Sequence, residues 1–302
     1  MKKQSGQALV LVLLSLSVVL TMVLFVMARS VTDVAVSTSS EASVRAFSAA
    51  EAGVERALVV GKIETVPLTA VGNAQYTSTT TGFAAGAVGG NSYNYPVALS
   101  SGDSMTTWFV SHDPATGNLP GVCNGTYPCF RGTSMTVCWG NSGTLDNTTP
   151  AIEVSVFYKT TAALSTIRIG RVTADPYYLT RQGTNHFAVP VSSTTACPTG
   201  AGVTYAFKTT FAFSAVGATM SSTADRLQFA RVKMFYNTTP QPVGITVVGP
   251  AGAYLPSQGL SISSTGTAGS ANRKVAVFQS WPEVPSVFDY AVYSGSTTGL
   301  IK

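Results

Sequence analysis

The residues able to do covalent or acid–base chemistry are few and far apart. The chain has two histidines, His112 and His186, and four cysteines, Cys123, Cys129, Cys138 and Cys197. No GxSxG elbow, GxxxxGK phosphate loop, HExxH helix or Asp-rich calcium loop occurs. His112-Asp113 has the composition of half a triad. Neighbours on a strand point to opposite faces, however, so the two would not act together, and His112 reads as a turn residue before Pro114. Asp175-Pro176 and Asp225 read as turn formers. Zinc would need close Cys pairs or nearby histidines, and the chain has no CxxC. The expectation is a non-enzyme with no catalytic, cofactor or metal residues.

The cysteines suggest disulfides instead. All four follow a hydrophobic N-terminal segment, and outside the cytoplasm pairing is favoured. Four cysteines allow three connectivities, with four buried thiols as the alternative. Cys123 and Cys129 flank the turn-rich Asn124-Gly125-Thr126-Tyr127-Pro128, so a local bridge there is the first candidate. Asn124, Asn147 and Asn237 each match the glycosylation acceptor pattern, which arises often by chance in a Thr-rich chain. Trp108, Trp139 and Trp281 could stack on a sugar, but core packing is the simpler expectation.

The elements that must position these residues begin with Ala8 to Ala28. This run has no charge, Gly or Pro, and 14 of its 21 residues are Leu, Val or Phe. As a helix it would span roughly 32 Å, about the hydrocarbon thickness of a bilayer. Those 14 residues favour insertion by about 4 to 8 kcal/mol. Ser15, Ser17 and Thr21 can bond back to the carbonyl four residues earlier. Residues 30 to 60 contain no Gly or Pro except Gly53, and they read as the same helix continued to a stop at Gly61. Val31, Val34, Thr38, Phe47, Ala50, Val54 and Leu58 recur at helical spacing as one apolar face, and Glu41 and Arg45 form an i, i+4 pair.

Three readings of this N-terminus compete. A secretory signal would be cut after Ala28, but the run is longer than the usual ~7–15 apolar residues. A plain signal anchor is the second. The third is a prepilin-type leader, Lys2 to Gly6, cut ahead of an apolar helix that stays in the mature chain.

The third reading rests on a resemblance. Gly6-Gln7-Ala8-Leu9-Val10, the apolar run, and Arg45-Ala46-Phe47-Ser48-Ala49-Ala50-Glu51-Ala52-Gly53-Val54-Glu55 resemble the N-terminus of PilX-type minor pilins of type IV pili. They are also similar to the pseudopilins of type II secretion. The resemblance covers about residues 1–60 and, more weakly, 255–302. It implies cleavage by a prepilin peptidase between Gly6 and Gln7, and methylation of the new amine. It implies a single-pass precursor in the inner membrane with its N-terminus in the cytoplasm, and later a place in a cell-surface filament. The implied partners are other pilins through the helix, the peptidase, the membrane, and a surface or glycan ligand. Major pilins carry Glu at the fifth mature position, where it neutralises a neighbour's N-terminal amine; here that position is Leu11. A buried carboxylate without its partner would cost several kcal/mol, so Leu11 suggests a subunit at or near a tip, or one that primes assembly.

From Lys62 on, β-branched and aromatic runs alternate with turn residues. Strands are expected at Thr106–Ser111, Met135–Trp139, Ile152–Lys159, Thr166–Val172, Thr204–Val216, Arg226–Tyr236 and Val243–Val248, as a β-sandwich. The expected class is α+β. The expected divisions are leader 1–6, helix 7–60 (8–28 transmembrane, 29–60 amphipathic), irregular connector 61–94, sandwich 95–245 and C-terminal sheet 246–302. In that sheet Leu260–Ser263 and Lys274–Gln279 would flank a Gly-rich bend, with a last strand at Val287–Tyr293 packing, as in the family, on the helix. The net charge is +5, and beyond the N-terminus only Arg273-Lys274 are adjacent basic residues, which argues against nucleic-acid binding. Two functions stand against each other. One is a minor pilin or pseudopilin with a priming, tip, adhesion or surface-sensing role. The other is an exported or anchored β-sandwich that binds or acts on glycans.

Overall fold

The computed structural model describes residues 7–84, 91–141, 143–144, 148–159, 167–187, 197, 203–218, 227–250 and 253–283. In chain order the elements are α1 (Gln7–Val60), β1 (Thr65–Val71), β2 (Ala74–Phe83), β3 (Ser92–Asn94), β4 (Ser104–Trp108), β5 (Ser134–Trp139), β6 (Ala151–Lys159), β7 (Ile167–Ala174), α2 (Tyr178–Asn185), β8 (Phe207–Ala212), β9 (Leu227–Phe235), β10 (Val243–Val248), β11 (Gly259–Ala268) and β12 (Ala271–Ser280). The fold is α+β, and it divides into two compact units.

The first unit comprises α1 with residues 64–79 and 262–277. α1 runs 54 residues, about 81 Å, and ends where Gly61 turns left-handed at φ 63°. Its sheet has the order β1-β2-β11-β12. Ala46, Ala49, Ala50, Gly53, Val54 and Ala57 are the buried side of the helix. They meet Val66, Tyr76, Ile262 and Ala268, with Val275 packed at one end.

This buried side is not the expected one. Of the seven residues in the periodic apolar face, only Ala50 and Val54 are buried; Val31, Val34, Phe47 and Leu58 are exposed. The sheet comes too close for large side chains. A Cβ on Gly266 would fall 2.0 Å from the carbonyl oxygen of Ala46, and one on Gly53 would fall 2.3 Å from Ser264 Oγ. Small residues therefore define the seam. The expected connector 61–94 also differs, since β1, β2 and β3 lie in it. In β2 the buried positions are Ala74, Tyr76, Ser78 and Thr80, an alternation in which Tyr76 is the one large residue. Likewise Ser264 to Ala268 is strand rather than bend, and the turn is confined to Gly269-Ser270. Residues 287–293 lie outside the described residues.

The second unit comprises residues 60–63, 80–261 and those from 278 on. Two four-stranded sheets, β3-β10-β5-β8 and β4-β9-β6-β7, enclose one core. Met135, Val137 and Trp139 of β5 and Val243, Ile245 and Val247 of β10 meet Ile152, Val154, Val156 and Tyr158 of β6 and Ala230, Val232 and Met234 of β9. The period-two alternation of each strand puts these on one face, as a sandwich needs. The expected strand 204–216 stops at Ala212, where a 3-10 turn, Phe213–Val216, folds Phe213 onto Phe109 and Phe130. α2 was not foreseen. It is held by Asp175, which accepts from the Tyr177 amide, from Arg181 at 3.2 Å and from Asn185 at 2.8 Å.

Candidate functional site: the uncovered apolar helix

Every residue of α1 from Leu9 to Glu41 is exposed. Sixteen large apolar side chains between Leu9 and Met27 have no cover, and they lie on all sides of the helix. At about 1.5–3 kcal/mol each, leaving them in water would cost on the order of 25–50 kcal/mol. The whole stability of a domain is only ~5–15 kcal/mol. The segment must therefore be covered by lipid or by other apolar surface, and its length and composition suit a membrane span. Ser15, Ser17 and Thr21 satisfy their hydroxyls on the carbonyls of Val12, Leu14 and Val18. These bonds reach three residues back rather than the expected four, and they leave no polar group facing outward unpaired. Thr32 and Thr38 bond four residues back.

Exposure continues past this span. Val31, Val34, Val36, Val44 and Phe47 are uncovered as far as the turns that meet the sheet. Charge is sparse there, and Glu41 pairs with Arg45 as expected. Gln7 is the first residue of the helix and Leu11 lies in its second turn, 66% exposed. Gly6 lies outside the described residues.

The other candidate residues have structural roles. Cys123 is bridged to Cys129 and Cys138 to Cys197. Trp139 is fully buried and donates to the Pro150 carbonyl at 2.7 Å; Trp281 donates to the Ser257 carbonyl at 2.7 Å. None of the three tryptophans offers an open stacking face. Asn237 is buried and donates to the carbonyls of Leu99 and Thr239, which removes it as a sugar acceptor. Asn124 caps its own turn through the amides of Thr126 and Tyr127. Asn147 and Asp225 lie outside the described residues. His186 closes α2 in the left-handed conformation.

His112 has a setting that the sequence did not show. It lies just ahead of the turn at 114–116, but it is buried, stacked on Trp281 at 5.1 Å and edge-on to Trp108 at 4.4 Å. Burial pushes its pKa down from 6.5 to about 4. A neutral imidazole between two indoles is a packing group. Adjacent in sequence, Asp113 turns away and accepts from the Ala115 amide. Among the described residues no three His, Cys, Asp or Glu side chains group as metal ligands would.

No family model, curated protein or solved structure matches this chain. What the molecule itself defines is a β-rich, disulfide-bonded protein with one N-terminal helix able to anchor in a membrane.

Proposed function

We propose that this chain is a minor pilin or pseudopilin, a structural subunit of a type IV pilus-like filament. The observation that carries the reading is the unbroken helix Gln7–Val60. Its uncovered first part needs lipid or sister helices around it, and its last turns are fixed to a sheet through small residues. A discarded signal peptide has no use for such continuity. In this reading the precursor is cut between Gly6 and Gln7, sits in the inner membrane, and then exchanges lipid for neighbouring helices at the cell surface. The two disulfides and the Thr-rich, weakly charged head fit export.

The test is the mature N-terminus of the natural protein by mass spectrometry. Gln7, N-methylated, is the expected start. A start at Arg29 would show that the helix is removed and would end the pilin reading.

A further inference from the structure

A pocket of about 290 Å3 opens on the second unit, beside the Cys123–Cys129 bridge. Its walls are Val110, Leu119, Val122, Ile167 and the two half-cystines, with Lys159, Ser111 and Gln228 as the polar residues. Lys159 ends β6 on the face away from the sandwich core, opposite Ile167 of β7. It is only 8% exposed, yet it makes no ion pair or hydrogen bond among the described residues. Its Nζ is not a fully buried atom, so the ammonium reaches solvent through the pocket, where an entering anion would meet it.

The backbone is modified at the same place. β6 and β9 pair Phe157 with Phe229 but Tyr158 with Leu227, so Gln228 is an extra residue in the ladder. Such a bulge re-aims side chains and is found beside binding sites. Here it brings Gln228 to the pocket next to Lys159. Ser111 is already committed, its hydroxyl donating to the Pro128 carbonyl. Ile167, Leu119 and Val122 remain at least half exposed along the wall.

We infer that this pocket binds a small aliphatic monocarboxylate, its charge on Lys159 and its chain among the aliphatic side chains and the disulfide. Among the described lining residues one is a cation, which matches one negative charge. None of the described lining residues is aromatic, so they offer no stacking platform for a sugar or a base. The pocket lies at the small end of ligand sites, which begin near ~300 Å3, so a short chain such as octanoate is the probe. The site is independent of how α1 is used.

The test is titration of 13C-carboxyl octanoate into the full-length chain in lipid nanodiscs, followed by calorimetry and by the carboxylate resonance. Saturable binding is expected. Lys159→Met should weaken it about tenfold or more and Lys159→Arg should largely restore it, since the cation is what meets the carboxylate. The same nanodiscs carrying the Met variant subtract octanoate that merely partitions into lipid. Ile167→Glu, at an exposed wall position and so harmless to folding, should weaken binding comparably by repulsion. 1-Octanol should bind about tenfold less well, having no charge. The assignment is overturned by any of three results: no saturable octanoate binding, equal binding by the Met and Glu variants, or a short apolar peptide acid that binds more tightly than octanoate.

Discussion

Gly266 of β11 lies against the backbone of α1 at Ala46, so close that a Cβ would stand 2.0 Å from the Ala46 carbonyl oxygen and 2.5 Å from the Ala50 amide nitrogen. Both obstacles are backbone atoms, and neither can rotate away. Gly266→Ala should therefore destabilise the helix–sheet seam by about 1–3 kcal/mol or more, read as a lower denaturant midpoint for residues 45–60 by hydrogen exchange. At Gly53 the obstacles are the side chains of Ser264 and Tyr76. Gly53→Ala also gains about 1 kcal/mol of helix propensity, so its net loss should be the smaller of the two.

Gln258 does the work of a strand for Trp108. Its Oε1 accepts from the Trp108 amide at 2.7 Å, and its Nε2 donates to the Trp108 carbonyl at 2.9 Å. Gln258→Leu keeps the volume and strands a buried N–H and C=O. At about 1–3 kcal/mol for each unsatisfied group, the expected loss in chemical denaturation is ~2–6 kcal/mol. A loss below half a kcal/mol would show that water takes over both bonds.

The two bridges should differ in worth. Cys138 and Cys197 are 59 residues apart, Cys123 and Cys129 only six. By loop-closure entropy, opening the long bridge costs about 4 kcal/mol and the short one about 2. Paired Cys→Ser variants, compared by denaturant midpoint, should rank in that order.

His112 makes the head acid-sensitive. The unfolded imidazole takes up a proton below 6.5, while the folded one waits until about 4. Between those values the unfolded state holds more protons, so stability falls as pH drops. The contribution of neutral His112 is complete above 6.5 and is lost as pH falls through 4. His112→Gln should flatten the melting temperature between pH 6.5 and 4 relative to the parent; an unchanged slope would assign the acid response to other groups.

The proposed filament role makes Leu11 a positional marker. A subunit without the assembly carboxylate should be found at ends or initiation points, and labelled subunits seen by microscopy should number few per filament. Dense, even labelling along the shaft would contradict this. Leu11→Glu should leave the circular dichroism of the head unchanged, because Leu11 is exposed in the second turn of α1, and should alter incorporation alone.

Much was written plainly in the order of residues. An apolar run free of charge, Gly and Pro can only be a helix needing a greasy environment, and strands such as Ile152–Lys159 announce themselves through β-branched alternation. These are local properties, set by backbone preference and side-chain transfer energy. The partner choices were not legible, because they depend on distance between segments far apart in the chain. Phe47 and Leu58 have more to gain from burial than Ala46 or Ala57, yet the sheet arrives on the alanine side, where backbones can touch. β2 escaped notice because, apart from Tyr76, its inward residues are the small Ala74, Ser78 and Thr80. The long Cys138–Cys197 bridge, the enclosure of His112 and the placing of Lys159 at the pocket were likewise decided by tertiary packing. Sequence fixes which groups must leave water; only the folded chain determines which of them meet.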